Sequence, residues 1–289
     1  MRLNKSFLVI TTMLLMNSLL WSENKECAMR VNFNKTDIFY TTKGNGDTTL
    51  LFIHGWCINS SYWKDQQDYF SSKYKTIAFD LPGFGKSKAE RENWTIEEYS
   101  KDIIRFIDHL NLKNVILIGH SMAGEIVLEA ALTNHVAIKG IIGIDNFKMI
   151  DVQFTPQQYE EMNSFLKMIE NDFKNTAPVY AERMLLSPST DETVSNRVKS
   201  DFGNANAAVA LSSLRSFINY TMSEAVKLEK LNYKLYLLNS NVISTNMQGL
   251  KNRSKSSFEV HEIEASSHYP MIENPVEFNK QLQNILNTI

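Results

Sequence analysis

The chain has 289 residues, 43% hydrophobic and 21% charged, a globular composition that excludes disorder and suffices for a sizeable core in one or two domains. Its 30 basic side chains are balanced by 32 acidic ones, so there is no field to attract a polyanion and nucleic acid is not an expected partner. Two cysteines, Cys27 and Cys57, cannot staple a fold of this length, and neither has a Cys-x-x-Cys or zinc spacing, so neither a disulfide framework nor a metal is expected.

At the N-terminus Arg2 and Lys5 precede an uncharged apolar run from Phe7 to Trp21, followed by the polar stretch Ser22 to Glu26. The run is about 15 residues, short of the roughly 20 that a spanning helix needs. Residues 1–22 therefore read as a signal peptide cut near Ser22, which implies a secreted or periplasmic protein with no stable membrane span after cleavage. The alternative is an uncleaved anchor.

Beyond it, short apolar runs alternate with amphipathic stretches, the pattern of a mostly parallel sheet with helices on both faces. Ile38 to Thr42 reads as a strand, 43–47 as a hairpin turn, and Thr49 to Ile53 as the next strand. A helix is expected over Ser60 to Phe70 and a strand over Lys75 to Asp80. Thr95-Ile96-Glu97-Glu98 opens a helix with Ile96, Tyr99, Ile103, Phe106, Ile107 and Leu110 on one face. Val115 to Ile118 does not alternate, which places it mid-sheet with both faces buried, and Ile141 to Ile144 repeats that character.

From 146 to 230 strand signals stop and polar helices such as Pro156 to Phe173 and Ala207 to Met222 take over, so this stretch reads as a helical cap inserted between core segments 23–145 and 231–289. Strands return at Lys234 to Leu238 and Phe258 to Ile263. Asn274-Pro275 opens a last helix that turns Phe278, Leu282, Ile285 and Leu286 inward.

Chemistry concentrates at strand ends. Gly119-His120-Ser121-Met122-Ala123-Gly124 joins the central strand to a helical run, with small residues two before and two after the serine, as a strained nucleophile elbow requires. His54-Gly55-Trp56 ends one strand, Asp80-Leu81-Pro82-Gly83-Phe84-Gly85-Lys86-Ser87 the next, and Ser267-His268-Tyr269-Pro270 follows the last. Gly85-Lys86-Ser87 lacks the earlier glycine of a phosphate loop, whose place Asp80 occupies. His120 and His54 read as packing and loop-shaping residues, and Cys57 as a small buried hydrophobe.

In order and placement these four motifs resemble the α/β-hydrolase superfamily from about residue 30 to the end, most like small serine hydrolases of the esterase and cofactor-free haloperoxidase kind. The resemblance implies an α/β-hydrolase fold with no cofactor. It makes Ser121 the nucleophile, His268 its general base and then acid, and the backbone N–H groups of Trp56 and Met122 the oxyanion hole. One departure concerns the acid: most members take it from the loop after the penultimate strand, yet from Asn232 through Phe258 there is no Asp or Glu. The family's second solution puts it one strand earlier, where Asp145 ends the preceding strand. Asp145 is therefore the expected acid, and the competing readings are Asn241 as a neutral partner or a broken triad.

The expected activity is cleavage of a small or medium carboxylic ester through an acyl-enzyme on Ser121. The alternative from another class is a ligand-binding or interaction protein on a hydrolase scaffold, supported by the missing acid after Leu238. Carbon–carbon bond hydrolysis and perhydrolysis use the same triad and are distinguished only by analogy.

Overall fold

Strand β1 (Cys27–Phe33) turns at Asn34 and Lys35, both with positive φ (45° and 61°), and pairs antiparallel with β2 (Thr36–Lys43). Two consecutive positive φ values match the tight hairpin turn whose twist suits the flanking strands. This computed structural model describes residues 26–289; the signal-peptide reading of 1–22 lies outside them.

The expected hairpin over 43–47 is not formed. Strand β4 (Lys75–Phe79) lies between β2 and β3 (Thr49–Ile53), so Phe79 pairs with Tyr40 on one side and Ile53 on the other. The 43–47 link instead passes against the backbone of 71–74. A Cβ on Gly44, whose φ is +77°, would stand 2.3 Å from the carbonyl oxygens of Ser71 and Tyr74. The glycines serve this close approach and not a two-strand turn.

Strand β4 pairs antiparallel with β2 and parallel with β3, and from there across the sheet to its far edge the pairing is parallel. The sheet order is β1-β2-β4-β3-β6-β7-β8-β9, with β6 at Val115–His120, β7 at Ile138–Ile144, β8 at Leu235–Ser240 and β9 at Phe258–Ile263, while the short β5 (Lys88–Ala89) pairs with β2. The whole of β6 is buried, as its unbroken apolar sequence requires. Helices α1 (Lys64–Phe70), α2 (Ile96–His109) and α3 (Met122–Ala131) cover the sheet. On α2 the buried residues include Ile96, Tyr99, Ile103, Phe106 and Ile107, and Phe106 stacks on Phe79 at 5.2 Å between ring centroids. Each such fully buried side chain contributes about 1.5–3 kcal/mol.

Between β7 and β8 the chain forms α4 (Pro156–Asn171), α5 (Phe173–Tyr180), a π-helical turn (Ala181–Leu185), α6 (Glu192–Asn204) and α7 (Ala207–Leu228). After β8 come α8 (Met247–Arg253), then β9, the single turn α9 (Pro270–Glu273) and α10 (Pro275–Leu286), which opens with Pro275 at its first position. Among the described residues no helix is long and apolar enough to cross a membrane.

Candidate active site

The parallel strands end together, and their C-terminal loops converge on Ser121. This residue joins β6 to α3 at φ 52° and ψ −126°, a conformation that costs a non-glycine residue about 1–3 kcal/mol and must be held by its surroundings. Its N–H donates to the Ile144 carbonyl at 2.9 Å, and its carbonyl accepts from Gly124 N–H at 2.7 Å. A side chain on Gly119 would meet the Ala123 carbonyl oxygen at 2.3 Å, which is why the elbow needs a glycine two residues before the serine.

The loop after β3 crosses directly over this turn. A Cβ on Gly55 would lie 2.7 Å from His120 Nδ1 and 3.1 Å from Ser121 Cβ, so only glycine allows the chain so near the serine. His54 ties this loop to the one after β4: its Nε2 accepts from Leu81 N–H at 2.9 Å, and its Nδ1 lies 2.7 Å from the Gly55 carbonyl as donor. Burial pushes its pKa down, against the opposing pull of Asp80 and the Gly55 bond, so the ring is neutral. Asp80 in turn accepts from Ser60 N–H at 2.7 Å and Lys86 N–H at 2.6 Å. Met122 is the first residue of α3, where an N–H has no acceptor in its own helix and the helix dipole favours negative charge.

His268 sits in the loop after β9, with Nδ1 2.6 Å from Asp145 Oδ2. Its backbone is held from three sides. Its N–H donates to the Leu185 carbonyl of the π-helical turn at 3.1 Å, and its carbonyl is 2.7 Å from His120 Nε2. The Glu273 carboxylate receives the N–H groups on either side, from Ser267 at 2.7 Å and Tyr269 at 3.2 Å. Burial, reinforced by the nearby His268, pushes His120 down to about 3, so it is a neutral donor to that carbonyl.

Asp145 follows β7 at φ 51° and is buried. Its Oδ1 receives Ser240 N–H and Oγ–H, both at 2.8 Å, and the Lys148 ammonium at 2.6 Å. Burial would raise its pKa, but the bond to and charge of His268, with those of Lys148, outweigh it and hold the carboxyl below its ordinary value. Asn241 is exposed, and its N–H donates to the Ile263 carbonyl. Ser240, in the slot expected to be empty of carboxylate, serves Asp145 as donor. Lys148, Ser240 and Glu273 carry no motif, and their contacts depend on strands and loops distant in sequence.

Ser121, His268, Met122 and Trp56 line one cavity of about 50 Å³, closed by Tyr180, Leu185, Phe202, Leu214 and Phe217 from the 146–230 segment. The Trp56 indole packs edge-on against Phe202 at 5.4 Å and donates to the Ala210 carbonyl at 2.9 Å. A larger open groove of about 830 Å³ beside Phe33 and Trp94 contains none of the groups that converge here. Cys57 is buried with φ 61°, and burial raises its thiol pKa, as suits an inert packing residue.

A parallel sheet with its elbow serine and paired histidine and aspartate at the strand ends defines the α/β hydrolases, and the chain belongs to that family: the alpha/beta hydrolase fold matches residues 48–253. It is 29% identical over 167 residues to the pimeloyl-[acyl-carrier protein] methyl ester esterase of Wigglesworthia glossinidia brevipalpis, covering 57% of this chain and 62% of that protein. It is also 33% identical over 90 residues to the non-heme haloperoxidase of Rhodococcus erythropolis, covering 31% of this chain and 32% of the relative. These matches thus span less than two thirds of either relative's length. The solved structure of a thermophilic esterase from Thermogutta terrifontis superposes with a TM-score of 0.74 over 91% of this chain and 98% of that one, at 19% identity, and so shares the fold.

Proposed function

We propose that the protein is a serine hydrolase that cleaves short-chain carboxylic esters through an acyl-enzyme on Ser121. The observation that carries this reading is one small cavity containing a serine on a strained elbow and a histidine whose far nitrogen lies 2.6 Å from a buried aspartate. In this mechanism His268 Nε2 takes the Ser121 hydroxyl proton as Oγ attacks the ester carbonyl. The N–H groups of Met122 and Trp56 receive the developing oxyanion. His268 then gives the proton to the leaving alcohol, leaving the acyl group on Ser121. Water, deprotonated by the same imidazole, attacks that ester and releases the carboxylic acid and the free serine. Asp145 keeps Nδ1 protonated, so that Nε2 is the accepting nitrogen, and stabilises the imidazolium.

The cavity's size and its apolar lining of Leu214, Phe217, Leu185 and Phe202 support a short, uncharged acyl group. The similarity to a methyl ester esterase agrees with an ester substrate. A second acceptor is supported by the haloperoxidase relative: hydrogen peroxide attacking the same acyl-enzyme would release a peracid. Export behind residues 1–22 belongs to the same proposal and rests on Arg2, Lys5 and the uncharged run to Trp21.

The test is a series of p-nitrophenyl esters from acetate to decanoate, with native protein and Ser121→Ala. Turnover should be highest for the short acyl chains and fall about 10⁵-fold or more in the variant, with the melting temperature nearly unchanged. Equal turnover by Ser121→Ala would refute the mechanism, and a maximum at decanoate would refute the short-acyl assignment.

A further inference from the structure

Lys148 is a buried cation beside the proposed triad. Its side chain is 8% exposed and its ammonium has three partners: Asp145 Oδ1 at 2.6 Å, the Ser240 carbonyl at 2.9 Å and Ser240 Oγ at 3.1 Å. The three donors of an ammonium can thus all be used. Asp145 is divided accordingly. One carboxylate oxygen receives Lys148 and two donors of Ser240, and the other is given to His268 Nδ1. The strand ends carrying these groups are clamped by Asn239, whose Oδ1 accepts from Asn146 N–H at 3.2 Å and whose Nδ2 donates to the Asn146 carbonyl at 3.1 Å. A buried ammonium is costly to desolvate, and a plain strand-end clamp could be made by neutral groups, as Asn239 does. The placement of a full charge on the oxygen opposite His268 therefore calls for an account in terms of charge.

We propose that Lys148 is a positioning residue of the triad: it fixes the Asp145 carboxylate so that one oxygen faces His268, and it offsets part of the negative charge that the imidazole feels. A lone carboxylate beside an imidazole favours the imidazolium strongly and would keep the base protonated to higher pH. With a cation on its other oxygen, the same carboxylate still fixes the tautomer but pulls less on the proton. Ser240, standing where most family members carry their acid, completes the arrangement as a donor to Asp145. The role rests on the proposed hydrolase reading, since it concerns the base of that reaction.

Other groups also face His268. His120 lies 4.8 Å away between ring centroids and Tyr269 5.2 Å, while Glu273 holds the N–H groups of Ser267 and Tyr269. None of these is a hydrogen-bond partner of the Lys148 ammonium, whose contacts are to Asp145 and Ser240, so a shift on changing position 148 is carried through those two residues.

The experiment compares native protein with Lys148→Met, which keeps much of the packing and loses the charge, and Lys148→Gln, which also keeps an N–H donor. The readouts are the pH profile of kcat/KM on p-nitrophenyl acetate and an NMR titration of ¹³C-labelled histidine, with His268 identified by its absence in His268→Gln. Both variants should move the acidic limb and the His268 midpoint upward together by about 1 pH unit. Unchanged midpoints in folded variants, whatever their loss of stability, would overturn the charge role. If Met shifts the midpoint and Gln does not, orientation by a donor is the cause and the charge assignment is wrong. Should neither variant fold, Lys148→Arg, which keeps the charge beside Asp145, must leave the midpoint where it is in native protein, and an upward shift of about 1 pH unit in that variant overturns the proposal. Absence of ester turnover in the native enzyme would defeat the hydrolase reading and leave the NMR arm to judge Lys148 alone.

Discussion

Replacing Asp145 by asparagine changes one atom, and the surrounding donors dictate how the new side chain must lie. Asp145 Oδ1 faces three donors, the Ser240 N–H and hydroxyl and the Lys148 ammonium. An asparagine amide turned toward them would oppose donor to donor, so its carbonyl must take that place and its NH₂ group must face His268. The position now 2.6 Å from Nδ1 would then hold a donor. That inverts the tautomer: Nδ1 becomes the acceptor, Nε2 carries the proton, and Ser121 has no base. The corresponding change in serine proteases lowers kcat about 10⁴-fold, which is about 5.4 kcal/mol of transition-state stabilisation. The substitution also strands the Lys148 ammonium, 8% exposed, beside a neutral group. Breaking a buried pair in this way costs about 3–5 kcal/mol, a fall in Tm on the order of 10 °C for a chain of this size. Steady-state kinetics on p-nitrophenyl acetate and a thermal melt read both effects. Asp145→Asn with Lys148→Met should regain most of the Tm and none of the rate. Activity within tenfold of native in Asp145→Asn would refute the reasoning, as would a variant that loses rate and Tm but regains both in the double mutant.

Two further expectations concern other parts of the chain. Glu125 on α3 and Glu224 on α7 are buried, and burial raises the pKa of both, Glu224 to about 7. A raised carboxyl pKa means the folded state holds a proton that the unfolded chain releases, so this contribution to stability is complete below about 4.5 and is lost as pH rises through about 7. Tm should therefore fall from pH 5 to pH 8 more in native protein than in Glu224→Gln, and parallel profiles would show that the pair does not act this way. For export, mass spectrometry of protein from the native host should find a start near Glu23; an intact Met1 in a soluble cytosolic fraction would contradict the signal-peptide proposal.

The elements legible in the sequence are those whose burial is complete or whose caps are local. The unbroken apolar run at Val115–Ile118 belongs to a wholly buried central strand. Thr95 caps its helix by accepting Glu98 N–H at 3.2 Å, a contact made within four residues. Strand β1 gave no comparable signal because it lies at the sheet edge, with only Val31 buried. The glycines near 44 read as a hairpin because their conformational freedom is visible in sequence, whereas the insertion of β4 between β2 and β3 is not. Lys148 and Glu273 were illegible for a related reason. A lysine four residues after a strand end is ordinary until β8 brings Ser240 beside it, and Glu273 matters only because a tight turn folds it back on the residues flanking His268.

The central claim is that Ser121 carries the acyl group, and covalent capture tests it most directly. Native protein treated with a fluorophosphonate and digested should yield one modified peptide, with the adduct on Ser121. Labelling should be abolished in Ser121→Ala and greatly slowed in His268→Gln, where the hydroxyl has no base. An adduct on another residue, or labelling of Ser121→Ala at the native rate, would contradict the account.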